Sequence, residues 1–228
     1  MKQMDMIQKN KYDISSGMKK GKILFSIVFT FTLPICTLLS PLLAIIFSFL
    51  YLPFTLVHEL GHLFSISLFL PALSPNLECY FSEGTFCCAC VCSHEFPNCW
   101  QSIIAMLSGS ASVMIFTIFC IITLLRMKSG IFYETGRFYF FFGVLADLPN
   151  LFPIFPSSLG FVTDGYAISA CLSQMGNPPL ISNQLSYFFS LISILIVLTS
   201  FFFLGSFLYH LGELLLNEIE EKEMIESI

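Results

Sequence analysis

Apolar residues run almost unbroken from Ile23 to Leu70, and again from Ser102 to Leu125 and from Leu185 to Tyr209. Runs of about 18 or more apolar residues are long enough to cross a bilayer as helices. The first run is too long for one crossing. Proline disfavours helix on its N-terminal side, so Cys36–Pro41 and Leu50–Pro53 are its two possible breaks. The pattern predicts one helix from about Ile23 to Leu39 and a second from about Leu42 to Phe69, kinked at Pro53. Phe138 to Val162 is aromatic-rich but interrupted by Pro149, Pro153 and Pro156. Non-helical backbone at membrane depth is tolerated only where it is buried in protein or lines a wet cavity. Thr163-Asp164-Gly165 can then cap a short helix running to about Gln174, with a turn at Gly176–Pro179. The expected fold is an all-α polytopic membrane protein with about five transmembrane helices between residues 23 and 210.

Pro71 to Trp100 is the one long stretch without a spanning pattern. It holds six of the nine cysteines, Cys79, Cys87, Cys88, Cys90, Cys92 and Cys99. Cys88, Cys90, Cys92 and His94 alternate, which on a strand places them on one face, and a short β-hairpin is possible here. Neighbours on that face are roughly 7 Å apart, so four in a row cannot close around one ion. Disulfides are expected if this loop lies outside the cytoplasm, free or acylated thiols if it lies inside. The predicted two-helix start puts the loop in the cytoplasm; a single re-entrant unit would put it outside.

Composition agrees with the pattern. Hydrophobic residues make up 56% and charged residues 11%, against about 25% charged in soluble domains. Six of the ten basic residues (Lys2, Lys9, Lys11, Lys19, Lys20 and Lys22) lie in the arm 1–22. The positive-inside rule places that arm in the cytoplasm. Ten basic residues so distributed argue against a nucleic-acid partner. The apolar stretch after Lys22 is too long for the core of a cleavable signal peptide. Arg126 to Arg137 reads as a short basic loop. The acidic net charge comes from the tail 211–228, read as a polar interfacial helix. Ala105, Ser108, Gly109 and Ser112 form a small-residue patch that permits close helix packing.

The candidate chemistry lies inside the first apolar run, at His58-Glu59-Leu60-Gly61-His62. On a helix, HExxH puts both imidazoles on one face, within reach of one Zn²⁺, with the glutamate beside it to handle protons on a bound water. Charged side chains in a spanning segment are costly and mark functional sites. A catalytic zinc usually takes a third protein ligand. Asp147 and Asp164 are the only carboxylates between Glu134 and the tail, and His94 and His210 are the remaining histidines. Asp164 is favoured, because it precedes a glycine at a helix start. Asp147, in the preceding helix, is the alternative, or simply pairs or caps.

HELGH in a membrane helix, followed by Asn150-Leu151-Phe152-Pro153 and then Asp164-Gly165-Tyr166, resembles the site-2 protease family of intramembrane zinc metalloproteases. The resemblance covers roughly Leu42 to Gln174. It implies zinc held by His58, His62 and Asp164, Glu59 as catalytic base, Asn150 as a substrate-positioning residue and transmembrane proteins as substrates. Leu107-Ser108-Gly109 looks like the family's small-residue patch, and the cysteine loop occupies the place of its membrane-associated hairpin. Two departures stand out. Ten residues separate Pro153 from Asp164, and Gly109-Ser110 stands where Gly-Pro is common. The rival expectation is a non-proteolytic membrane protein, either an inactive scaffold or a metal-binding transporter. The glutamate, with no role in a scaffold, and the lack of inverted repeats argue against it.

Overall fold

The computed structural model describes residues 20–36, 40–82, 85–93, 96, 98–126, 130–152, 163–175 and 183–226. Most of the basic arm, His94, Pro153, Pro156 and the expected turn at Gly176–Pro179 lie outside them. Six helices and one hairpin are described. In chain order they are α1 (20–36), α2 (Pro41–Phe69), β1 (Asn76–Ser82), β2 (Thr85–Val91), α3 (Cys99–Arg126), α4 (Gly130–Asp147), α5 (Asp164–Gln174) and α6 (Asn183–Glu226). Short 3₁₀ turns follow α2 (Pro71–Leu73) and α4 (Leu148–Leu151).

Three of the described helices are long and apolar enough to cross a membrane, through Ile45–Phe69, Cys99–Arg126 and Phe188–Ile219. This corrects the expectation of about five. The described part of α1, residues 20–36, covers about 25 Å at about 1.5 Å per residue, against a hydrocarbon core about 30 Å thick. Helix α4 is 18 residues long and carries Glu134, Arg137 and Asp147. The expected basic loop at 126–137 is also shorter than its composition suggested, because α4 already begins at Gly130. The tail is not a separate interfacial helix, since α6 continues through it to Glu226.

Outside and inside are distributed as lipid demands. Ile104, Leu107, Ile115, Ile118 and Phe119 on α3 and Leu191, Ile194 and Leu195 on α6 are exposed, while Ser26, Ser110, Ser169, Ser200 and Ser206 are buried. Lipid tails are as apolar as leucine, so helices in a bilayer gain little by hiding leucine from them; small residues and hydrogen bonds hold the seams. Ser26 and Ser206 hydrogen-bond at 2.9 Å between α1 and α6. Ser65 and Ser108 do the same at 2.8 Å between α2 and α3.

The core is aromatic and centres on Phe54, which is fully buried among Tyr51, Phe116, Tyr139, Phe140 and Phe142. Its ring lies against α4 at Gly143, where any Cβ would collide with it. Helix α2 runs unbroken through Pro53. In the turn before that proline, the Leu50 carbonyl accepts a hydrogen bond from the Tyr139 hydroxyl at 2.8 Å, which ties α4 to α2 there.

The hairpin pairs β1 and β2 in antiparallel register, with Cys79 opposite Cys88 and Leu77 opposite Cys90. Cys79 and Cys88 form a disulfide, their Cα atoms 4.1 Å apart, the close spacing of a non-hydrogen-bonded pair. Pair types alternate along the ladder, so Leu77/Cys90, two residues on, is of the same type. The backbone N–H of Cys90 therefore points away from β1, towards α2, on which β2 packs.

Candidate metal centre

The helical period stacks His58 and His62 one turn apart on the face of α2 that meets α3. Both are buried. Gly61 and Gly109 allow that meeting. A Cβ on Gly61 would collide with Ser108 and Ser112, and one on Gly109 would lie 2.6 Å from both imidazoles. The small-residue patch on α3 is thus the floor of the site as well as a packing surface.

Each imidazole has one nitrogen engaged behind it. His62 Nδ1–H donates to the Ala105 carbonyl at 2.7 Å, which leaves its Nε2 lone pair free. His58 Nδ1 lies 2.8 Å from Asp147 Oδ1. Both groups are buried, and this contact makes Asp147 the outer carboxylate of a carboxylate–histidine pair. Asp147 Oδ1 is in turn approached by Asn150 Nδ2 at 3.2 Å and the Tyr51 hydroxyl at 3.5 Å.

The forward nitrogens converge. His58 Nε2 and His62 Nε2 are 2.9 Å apart, and Asp164 Oδ2 lies 3.1 Å from the first and 3.5 Å from the second. Bonds of about 2.0–2.1 Å arranged tetrahedrally separate donor atoms by about 3.3 Å, so the triangle has the size of three corners around one small cation. Asp164 Oδ2 is buried and accepts no hydrogen bond among the described residues. Two imidazole nitrogens and a carboxylate oxygen converging at this spacing form a group that could hold a cation.

Asp164 reaches this place by local structure. Thr163 caps α5, its hydroxyl accepting from Tyr166 N–H at 3.3 Å while donating to the Phe152 carbonyl at 2.7 Å. Gly165 lies against the Leu151 and Phe152 backbone, where a side chain would collide. The Asp-Gly pair is thus one residue that faces the imidazoles and one that lets the helix start close enough for it to do so. Helix α5 spans Asp164–Gln174, the bounds expected from sequence.

Of the expected site residues, His58, His62 and Asp164 are brought together, and Asp147 takes the supporting position. Glu59 is adjacent; His58, Glu59 and His62 can present one donor atom each within 4.8 Å of one another, a group able to hold a metal ion. Glu59 also has a contact that sequence reasoning missed, accepting the Cys90 N–H of β2 at 2.7 Å through Oε2. The expectation that this carboxylate has no structural job is therefore corrected: it helps dock the hairpin. Asn150 contacts Asp147 rather than the ligand triangle. His210 lies elsewhere, bonded to Lys22 at 2.6 Å and Glu213 at 3.0 Å. Asp147 carried one sequence signal, being one of two mid-chain carboxylates. The Ala105 carbonyl and the Cys90 N–H are backbone groups and carried none.

No family model matches the chain, and neither a curated protein nor a solved structure matches it.

Proposed function

We propose that this protein is a multi-pass intramembrane zinc metalloendopeptidase of the site-2 protease type, hydrolysing peptide bonds of transmembrane proteins. The observation that carries the reading is the triangle of His58 Nε2, His62 Nε2 and Asp164 Oδ2, with Glu59 beside it. Two imidazoles and one carboxylate are a catalytic zinc ligand set, with the fourth position left for water. Zinc bound there would supply a water acidified towards neutrality and would polarise the scissile carbonyl.

The chain's own groups do the rest. Asp147 and the Ala105 carbonyl hold the imidazoles with Nε2 forward. Glu59 takes the proton of the attacking water and returns it to the leaving amine. A helical substrate has its amides paired internally and must unwind before one becomes accessible. An unwound segment would pair with the hairpin as a further strand. Asn150, beside Asp147, would help place it.

The Glu59–Cys90 bond supports a second reading, a non-proteolytic metal-binding membrane protein in which Glu59 only anchors the hairpin. Glu59→Gln separates the two, because glutamine keeps an oxygen for the Cys90 N–H but cannot act as a base. With a co-expressed single-span reporter, the protease reading expects cleavage to fall at least about 100-fold while the purified variant keeps its zinc. Undiminished cleavage by the variant eliminates Glu59 as base. No cleavage by the unaltered protein, with zinc bound, favours the second reading.

A further inference from the structure

We propose that the hairpin is a lid closed against the metal centre with Glu59 as its latch, and that the extended backbone of a substrate opens it by taking the Cys90 N–H from Glu59. The substrate's part rests on the protease reading; the latch does not. Among the described residues one hydrogen bond joins the hairpin to α2, and it runs from the Cys90 N–H to Glu59 Oε2 at 2.7 Å. The residue assigned the proton transfer is thus the one that the hairpin holds. A backbone N–H is a single donor, so a second acceptor gains it only as the first lets go.

A peptide strand is a fitting second acceptor. The Cys90 N–H points away from β1 and takes no part in the ladder, so it is the kind of donor with which an added strand pairs. In this structure α2 fills that side of β2. Paired strands lie about 4.8 Å apart, so the hairpin must swing away from α2 by about that distance to admit one. A substrate carbonyl then accepts from Cys90, and the Glu59 carboxylate is released towards the imidazoles. Docking of an unwound peptide and release of the base become one event.

The hairpin is built to swing as one piece. The ladder and the Cys79–Cys88 disulfide join its strands. Its base is closed where Ser93 donates to the Leu73 carbonyl, through N–H at 3.0 Å and Oγ at 2.7 Å. Between that base and β1, Ser74 has left-handed backbone, with φ 44° and ψ 60°. Non-glycine residues are uncommon there, and such positions gather in clamps and switch segments. The apolar seat under the lid is small: Cys90 and Cys92 pack on Ile66, Leu73 and Ala105. Opening it uncovers both thiols.

The test uses the full-length, zinc-loaded protein in detergent, with Glu59→Gln, which keeps an oxygen for the Cys90 N–H, and Glu59→Ala, which does not. Deuterium exchange at the Cys90 amide should be roughly tenfold faster in Glu59→Ala than in the unaltered protein, with Glu59→Gln close to the latter. Equal exchange in all three overturns the latch. A single-span reporter should bind Glu59→Ala several-fold more tightly than Glu59→Gln, since nothing competes for the N–H; equal or weaker binding overturns the exchange of acceptors. Adding the reporter to Glu59→Gln should speed maleimide labelling of Cys90 and Cys92 several-fold. Unchanged or slower labelling overturns the opening, and this arm stands even where Glu59→Ala does not fold. If the protein takes up no zinc, or the reporter is neither bound nor cleaved, the protease reading fails and the substrate's part fails with it; the Cys90 amide then decides the latch by itself.

Discussion

Two regions of this molecule place histidine beside carboxylate, and they differ in what the nitrogens face. At His210 both are engaged: Nε2 meets the Lys22 ammonium, a donor, and Nδ1 meets Glu213, an acceptor. Its ring also stacks on Phe138. Nothing further is needed to satisfy it. At His58 and His62 the rear nitrogens meet Asp147 and the Ala105 carbonyl, and the forward ones converge on each other and on Asp164. A histidine near an acid is thus common packing chemistry. Imidazole nitrogens and a carboxylate oxygen that converge at ligand spacing are what point to a cation.

The sharpest way to break the comparison is to remove each histidine in turn. His58→Ala or His62→Ala should abolish stoichiometric zinc in the purified protein, and His210→Ala should leave it intact. Metal analysis showing the reverse, or equal loss in all three, would dissolve the distinction. Next in size is Gly109→Ala, which changes no ligand but drives a methyl group into both imidazoles. Zinc content should collapse almost as far, whereas Gly212→Ala, with open space around it, should match the unaltered protein. Asp147→Asn tests the rear support. Loss of such a partner weakens metal affinity about 10–100-fold, and a competition titration with a chromophoric chelator would read it. Unchanged affinity would reduce Asp147 to packing. The smallest effect belongs to Thr163→Ala, which removes the cap of α5 at a cost of about 1 kcal/mol. Affinity should fall by less than tenfold in the same titration, and a larger drop would mean that the cap positions Asp164 more directly than a helix end does.

Much of the site was legible because local rules carry it. HExxH needs only the helical period to stack its histidines, and Thr163-Asp164-Gly165 needs only capping chemistry to start a helix. The number of spans was less legible. Hydropathy along the chain sees apolar character but not where a helix begins or which charges it carries, and α4 is 18 residues long and carries Glu134, Arg137 and Asp147. The hairpin shows the same limit. Alternation placed Cys88, Cys90 and Cys92 on one face of a strand, but the partner of Cys88 depended on the register with β1, which brings Cys79 opposite it.

The sequence alone determined a strongly apolar chain, two histidines one turn apart with a glutamate between them, and two mid-chain carboxylates as candidate partners. Period, capping and hydropathy act over a few residues, so they can be read from a string. Only the tertiary structure decided that Asp164 completes the triangle while Asp147 steadies His58, and that Glu59 meets the backbone of β2. Those choices depend on contacts between residues up to about a hundred positions apart, made where glycines let α2, α3 and α5 approach, and no local pattern encodes such a distance.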